Sequence, residues 1–270
     1  MDRIIGVNSN CYHGYSIEEA LEGIAKAGFH YVELTATKGW TEHVFPDQPF
    51  QRLVQVQNKM KELDLHPFAM SGHTNLMDPA RIPDFVMNMK LAAFYGCEYI
   101  VSSIGEAHLK DNVHTSNEEV ARSIGGFIPY LEENNMKLVL ELHGDHATGK
   151  VLREIVDLVD SPRVLINYDT ANVIFFADVN MEEDLDIAME KIGYIHLKEK
   201  AGDPKEWNFP TLGKGYVDFP MIFRKLKKAE NNCPFSIEIE FTKEGPKDLM
   251  EINQAVKDSY DYLKSQGFAL

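Results

Sequence analysis

Cysteine is scarce: Cys11, Cys97 and Cys233 are the only three in 270 residues. They have no Cys-x-x-Cys spacing and form no even framework, which argues against a cysteine-zinc site and points to a reducing compartment, the cytoplasm. Basic residues are also few. Lys and Arg total 27 against 42 Asp and Glu, a formal charge of −15, so nucleic acid and anionic membranes are repelled unless a local basic patch intervenes. No run of about 18 or more apolar residues is present to cross a bilayer. The opening Met-Asp-Arg-Ile-Ile-Gly-Val reads as the start of a strand, without the apolar segment of a signal peptide. Gly-x-Gly-x-x-Gly is missing, and with it the early phosphate turn that an open, doubly wound dinucleotide-binding sheet would carry.

What the chain does have is a hydrophobic fraction of 44%, enough for a sizeable core, arranged as short apolar runs that alternate with helical patterns. Strands are expected at 4–8, 31–34, 66–70, 99–102, 137–142, 164–168, 194–197 and 235–241. Helices are expected at 16–27, 51–63, 83–96, 117–134, 148–159, 181–191, 218–229 and 248–263. Ser16-Ile-Glu-Glu opens the first helix as a capping arrangement and Gly28 stops it. The loops 35–49 and 198–217 are long, and Gly213-Lys214-Gly215 reads as a turn. A length of 270 residues fits one large barrel or two average domains. Eight strand-then-helix units without a composition break favour α/β class, a single (β/α)8 barrel over 1–270.

Four of these strands end on residues that bind metals. Glu141 closes Leu-Val-Leu-Glu, Asp169 closes Leu-Ile-Asn-Tyr-Asp, His196 follows Tyr-Ile, and Glu238 and Glu240 alternate in Ser-Ile-Glu-Ile-Glu. Strand ends of a barrel converge on one face, so Glu141, Asp169, His196 and Glu238 are expected to meet. Three unpaired carboxylates in a dry core cost several kcal/mol each, and a cation removes that objection. Mostly hard oxygens plus one imidazole suit one divalent ion, Mn2+ first, with Mg2+, Co2+ or Zn2+ also accepted. Glu238 and Glu240 point to the same face, so Glu240 stays open as the fourth ligand.

Further candidates lie on the same face. His143 shares the face of Glu141 and is expected to touch substrate or a ligand. Trp40 could stack on a sugar ring or simply pack its loop, and His13, His43 and His73 follow strands one to three. Glu106 reads as a solvated loop acid. Lys198, Lys200 and Lys214 could hold an anion, but surface lysines need no such role.

Together, Glu-Leu-His at 141–143, Asp-Thr-Ala-Asn at 169–172, His-Leu-Lys-Glu at 196–199, Leu-Gly-Lys-Gly-Tyr-Val-Asp-Phe at 212–219 and Ser-Ile-Glu-Ile-Glu at 236–240 resemble the sugar phosphate isomerase/epimerase superfamily of xylose isomerase-like TIM barrels. That group holds ketose 3-epimerases, hydroxypyruvate isomerases, inosose and dehydroshikimate dehydratases, and endonuclease IV. The resemblance implies Glu141, Asp169, His196 and Glu238 as ligands. It sets Asn172 where ketose epimerases carry a substrate-contacting His. Lys198 or Lys200 would stand in for an epimerase arginine that has no match here.

The implied function is a divalent-metal-dependent isomerase or epimerase of a small ketose or related hydroxy-ketone or keto acid. A proton would move through a metal-held enediolate, with Glu141 and Glu238 as the catalytic acid–base pair. His143, Asn172, Lys198, Trp40 and His73 are the expected substrate contacts. The alternative is a dehydratase or lyase of inosose or dehydroshikimate type. An endonuclease IV-like enzyme would need more histidines and a basic surface, and an idle binding barrel would need no metal. No nucleic acid or membrane partner is expected, and a homo-oligomer is compatible with the sequence.

Overall fold

A computed structural model describes residues 3–107 and 115–270. Its centre is eight short strands: β1 Ile5–Asn8, β2 Tyr31–Thr37, β3 His66–Ser71, β4 Tyr99–Ser102, β5 Lys137–Glu141, β6 Val164–Asp169, β7 Ile192–Lys198 and β8 Phe235–Glu238. Each pairs in parallel with its neighbours in sequence, and β1 also pairs with β8, which closes the sheet into the expected (β/α)8 barrel.

Successive side chains of a strand point to opposite faces. The outward set packs under the helices in one large apolar cluster. A separate, smaller cluster joins Phe68, Ala69, Tyr99, Val101, Val139 and Tyr194 as a plug inside the barrel. Gly6 is part of that packing. A Cβ there would lie 2.5 Å from Phe68 Cε1 and 2.8 Å from the Tyr31 carbonyl oxygen, so only glycine fits. Further along the strands the buried positions become polar: Asn8, Glu33, Glu141, Asn167, Asp169, His196 and Glu238. The apolar plug thus sets a dry floor beneath a polar ring at the strand ends.

The helices follow local rules. Ser16 and Glu19 form a reciprocal capping box for Ile17–Ala27, which Gly28 ends at φ 107°. Ser116 and Glu119 do the same for the helix that begins at Asn117.

Four expectations need correction. The single helix over 117–134 is two, Asn117–Gly125 and Ile128–Glu133. Pro129 lacks the N–H that an unbroken helix would bond to Gly125, and its ring opposes that carbonyl. The eighth strand stops at Glu238 rather than 241. Phe241 has φ 56°, and Phe241–Thr242 pairs antiparallel with Asn208–Phe209 in a separate two-strand flap. The helix over 181–191 is α only for Met181–Ala188 and tightens to a 3-10 turn at Met189–Lys191. A short helix, Asn172–Phe176, stands where the sequence reads as a loop. Among the described residues no helix is long and apolar enough to cross a membrane.

Candidate metal and substrate site

Strand pairing brings the four expected ligands together. Asp169 of β6 and His196 of β7 are register partners, Glu141 ends β5 and Glu238 ends β8. Each offers one ligand atom, all within 4.8 Å of one another and all on buried residues. His196 Nδ1 bonds Glu141 Oε1 and lies 3.8 Å from Asp169 Oδ2 and 3.7 Å from Glu238 Oε2. Asp169 is held from behind: Oδ1 accepts the backbone N–H groups of Ala171 and Asn172, both at 2.8 Å. Its Oδ2 is buried without a hydrogen-bond partner.

The electrostatics show the same crowding. Burial pushes the Glu141 carboxyl up to about 8 and raises Asp169 as well. Burial would also raise Glu238, but the Lys198 ammonium and then His196 outweigh it and hold that group down at about 2. His196 is raised well above an ordinary imidazole, because Glu33, Glu141 and Glu238 overcome its burial. An orphaned carboxylate oxygen facing an imidazole nitrogen and two more carboxylates, away from water, matches a cation site. Three oxygen donors and one nitrogen fit a single divalent ion, so these four side chains could hold one.

The surrounding groups orient this set. His196 Nε2 lies 3.0 Å from Glu33 Oε2, and the Tyr194 hydroxyl donates to the same carboxylate at 2.9 Å. In the neutral imidazole that a bound cation requires, Glu33 would hold the proton on Nε2 and leave the Nδ1 lone pair for the ion. Asn8 and Asn10 donate to Glu238 Oε1 at 3.3 and 3.2 Å. Lys198 Nζ sits between Glu238 Oε2 at 3.0 Å and Glu240 Oε2 at 2.7 Å. Glu240 therefore pairs with a lysine and lies outside the four-ligand set. His73 Nδ1 accepts the Ser103 N–H at 2.9 Å, which sets Nε2 toward Glu141 Oε2, 3.6 Å away.

Two surface readings are overturned. Lys198 and Lys200 are buried, Lys198 by its two carboxylates and Lys200 by the Asp203 carbonyl, 2.8 Å from Nζ. Only Lys214 is exposed. Glu106 is not a solvated acid, for Arg81 Nε donates to its Oε1 at 2.6 Å. His43 turns away from the site: its Nε2 donates to the Tyr15 carbonyl at 3.1 Å.

A cavity of about 30 Å³ is lined by two of the four ligands, Glu141 and Glu238, room for an ion and a water. His143, Asn172, Lys198, Trp40 and His73, the five expected contacts, all line it, together with Phe175, Phe176, Trp207 and Phe209. Asn10, Trp40, Trp207 and Glu240 also line an adjoining cleft of about 580 Å³. Trp40 is fixed by stacking on His13 at 3.9 Å and by donating to Asn10 Oδ1 at 3.0 Å. Sequence reasoning misses Glu33, Asn8, Asn10 and the aromatic wall other than Trp40. The one available signal is an acid inside the apolar run Tyr-Val-Glu-Leu at 31–34.

Comparison with known proteins agrees with this fold. A family model described as xylose isomerase-like TIM barrel matches residues 21–266. A Haemophilus influenzae protein provisionally named L-ribulose-5-phosphate 3-epimerase is 33% identical over 104 residues, a match that covers 37% of this chain and 36% of that one. An L-ribulose 3-epimerase of a Methylomonas species is 23% identical over 236 residues, 82% of this chain and 77% of its own. Among solved structures, the Methylomonas D-allulose 3-epimerase with D-allulose superposes with a TM-score of 0.77 at 18% identity, covering 97% of both chains. The IOLI protein with a bound zinc atom reaches 0.78 at 18% identity, covering 99% of this chain and 100% of that one.

Proposed function

The chain belongs to the xylose isomerase-like TIM barrel family, and from that premise and its site we propose that it is a divalent-metal-dependent sugar epimerase acting on a small ketose. The observation that carries this reading is the placement of Glu141 and Glu238. They end β5 and β8, three strands apart in a ring of eight with Asp169 and His196 on the two strands between, and their ligand atoms lie within 4.8 Å of each other. Two bases on different sides of one carbon are what epimerisation needs, since one face of the carbon loses a proton and the other gains one. The named activities of the sequence relatives, both sugar 3-epimerases, support it.

Glu141, Asp169, His196 and Glu238 would hold the ion, which supplies Lewis acidity to a carbonyl oxygen and its neighbouring hydroxyl. The chain's own groups do the rest. One of Glu141 and Glu238 takes the proton from the carbon next to the carbonyl, and the other delivers one to the opposite face. His73 lies against Glu141, while Lys198, Asn8 and Asn10 hold Glu238 in place. Trp40, Trp207 and the Phe175–Phe176 pair wall the cavity, exclude water and offer flat apolar faces to the C–H groups of a sugar. His143 and Asn172 line the same cavity and would meet hydroxyls.

The test is turnover of free ketoses by Mn2+-loaded protein in heavy water. Epimer formation with deuterium on the carbon next to the carbonyl is expected, and Glu141→Gln and Glu238→Gln should each lower kcat by at least about 10²-fold. Product without solvent deuterium over many turnovers would sink the proton-transfer mechanism. Loss of water to an unsaturated product would move the assignment to a dehydratase built on the same site.

A further inference from the structure

We propose that the substrate carries no phosphate: the site takes a neutral, unesterified ketose. This rests on the epimerase reading above and narrows it. The relatives divide on this point, since one is named for a sugar phosphate and the other for a free sugar.

The first observation is charge. Glu141, Asp169, Glu238 and Glu240 cluster about the cavity floor, and among the described residues that line it Lys198 is the one lysine or arginine. With an ion bound its ligands are ionised carboxylates and a neutral imidazole, so four carboxylates against one ammonium and a divalent ion leave one negative charge. Lys198 is spoken for, with Glu238 and Glu240 at 3.0 and 2.7 Å. In the adjoining cleft Lys243 stands among Glu240 and Glu244, so that wall is not positive either. A phosphate dianion entering from either side meets a negative field in a poorly solvated space, where screening is weak.

The second observation is independent of the first. Barrels of this architecture bind phosphate with the loops after β7 and β8 and with helix N-termini, through backbone N–H groups. Here those groups already hold the protein's own carboxylates. After β7, Glu199 is buried and accepts the N–H groups of Gly213 and Val217, both at 2.9 Å, and of Lys200 at 3.0 Å. The glycine turn that could cradle an external anion is wrapped on an internal one. Gly215 seals it: a Cβ there would lie 2.1 Å from the Lys200 carbonyl oxygen and 2.6 Å from Glu199 Oε1. Asp218 caps the next helix by accepting from Met221 N at 2.8 Å. After β8, Asp248 caps the last helix by accepting from Glu251 N at 3.0 Å. Asp184 likewise takes the N–H groups of Gly149 and Lys150 at 2.7 and 3.1 Å.

The experiment compares L-ribulose with L-ribulose 5-phosphate on the Mn2+-loaded full chain, by turnover and by titration calorimetry, with inorganic phosphate titrated in parallel. The free sugar should have the higher kcat/KM by at least tenfold, the ester should bind no tighter than the free sugar, and inorganic phosphate should not compete. Preference for the ester in turnover overturns the inference while the epimerase reading stands. Turnover of neither compound counts against the epimerase reading, and calorimetry then decides this inference alone: an ester that binds tighter than the free sugar overturns it, and one that does not upholds it.

Discussion

Glu33 touches no ligand position except through His196, yet its removal should be felt at the ion. A carboxylate on Nε2 fixes the tautomer that presents Nδ1 as a lone pair. A glutamine amide can donate to Nε2 as readily as accept from it, and so no longer enforces that tautomer. Glu33→Gln is expected to weaken Mn2+ binding by about 10–100-fold in calorimetry, with the melting temperature of the metal-free protein little changed; unaltered affinity would contradict this role. The two acids after β8 should also separate. Glu238→Gln removes a ligand and is expected to abolish turnover. Glu240→Gln leaves the four-ligand set intact and should act on KM or stability through Lys198. The ligands themselves are legible because each is an acid or imidazole at the end of an apolar run. Glu33 is legible only as an acid within such a run, and nothing in one sequence tells that its partner lies 163 residues away at His196. Lys198 and Lys200 mislead for the opposite reason: a lysine is exposed by default, and only the convergence of Glu238, Glu240 and a folded-back loop buries these two.

At the scale of elements, strands and most helices are legible because their signals are local: Ser16 with Glu19, Gly28 after the first helix. Pro129 is as local a signal, yet the expectation of one helix over 117–134 reads through it. The short helix Asn172–Phe176 is not, because its start depends on Asp169 Oδ1 taking two backbone N–H groups, a bond that also aims Oδ2 at the ion site. The loop from 199 to 217 is organised by Glu199 and tied back by Lys205, whose Nζ donates to the carbonyls of Phe175 and Ala177 at 2.8 and 3.1 Å. Glu199→Ala leaves the buried N–H groups of Lys200 and Val217 and the part-buried one of Gly213 without their acceptor, a cost of about 1–3 kcal/mol per buried unsatisfied group that is reduced wherever water enters. Limited proteolysis should then cut within 200–217 faster than in the parent, with Trp207 fluorescence altered. An unchanged cleavage pattern would mean the loop does not depend on this carboxylate.

For the whole molecule, eight repeats of strand and helix are readable from alternation alone, whereas closure through β1 and β8 is a property of the assembled sheet. Stability should also reflect one group outside the ligand cluster. Burial pushes the His43 imidazole down to about 4, below its ordinary 6.5, so the unfolded chain binds its proton first. The resulting stability is present above pH 6.5 and is lost as pH falls toward 4, by about 2–3 kcal/mol. Unfolding curves of the parent and His43→Gln, compared from pH 7 to pH 4, should converge as pH falls; parallel curves would exclude this contribution.

The claim on which the rest depends is a single divalent ion in the strand-end cluster. Crystals soaked in Mn2+ and measured at the manganese absorption edge should give one anomalous peak per chain, bounded by Glu141, Asp169, His196 and Glu238, and much weakened in Asp169→Asn. A peak elsewhere in the barrel, or none at saturating Mn2+, would contradict it.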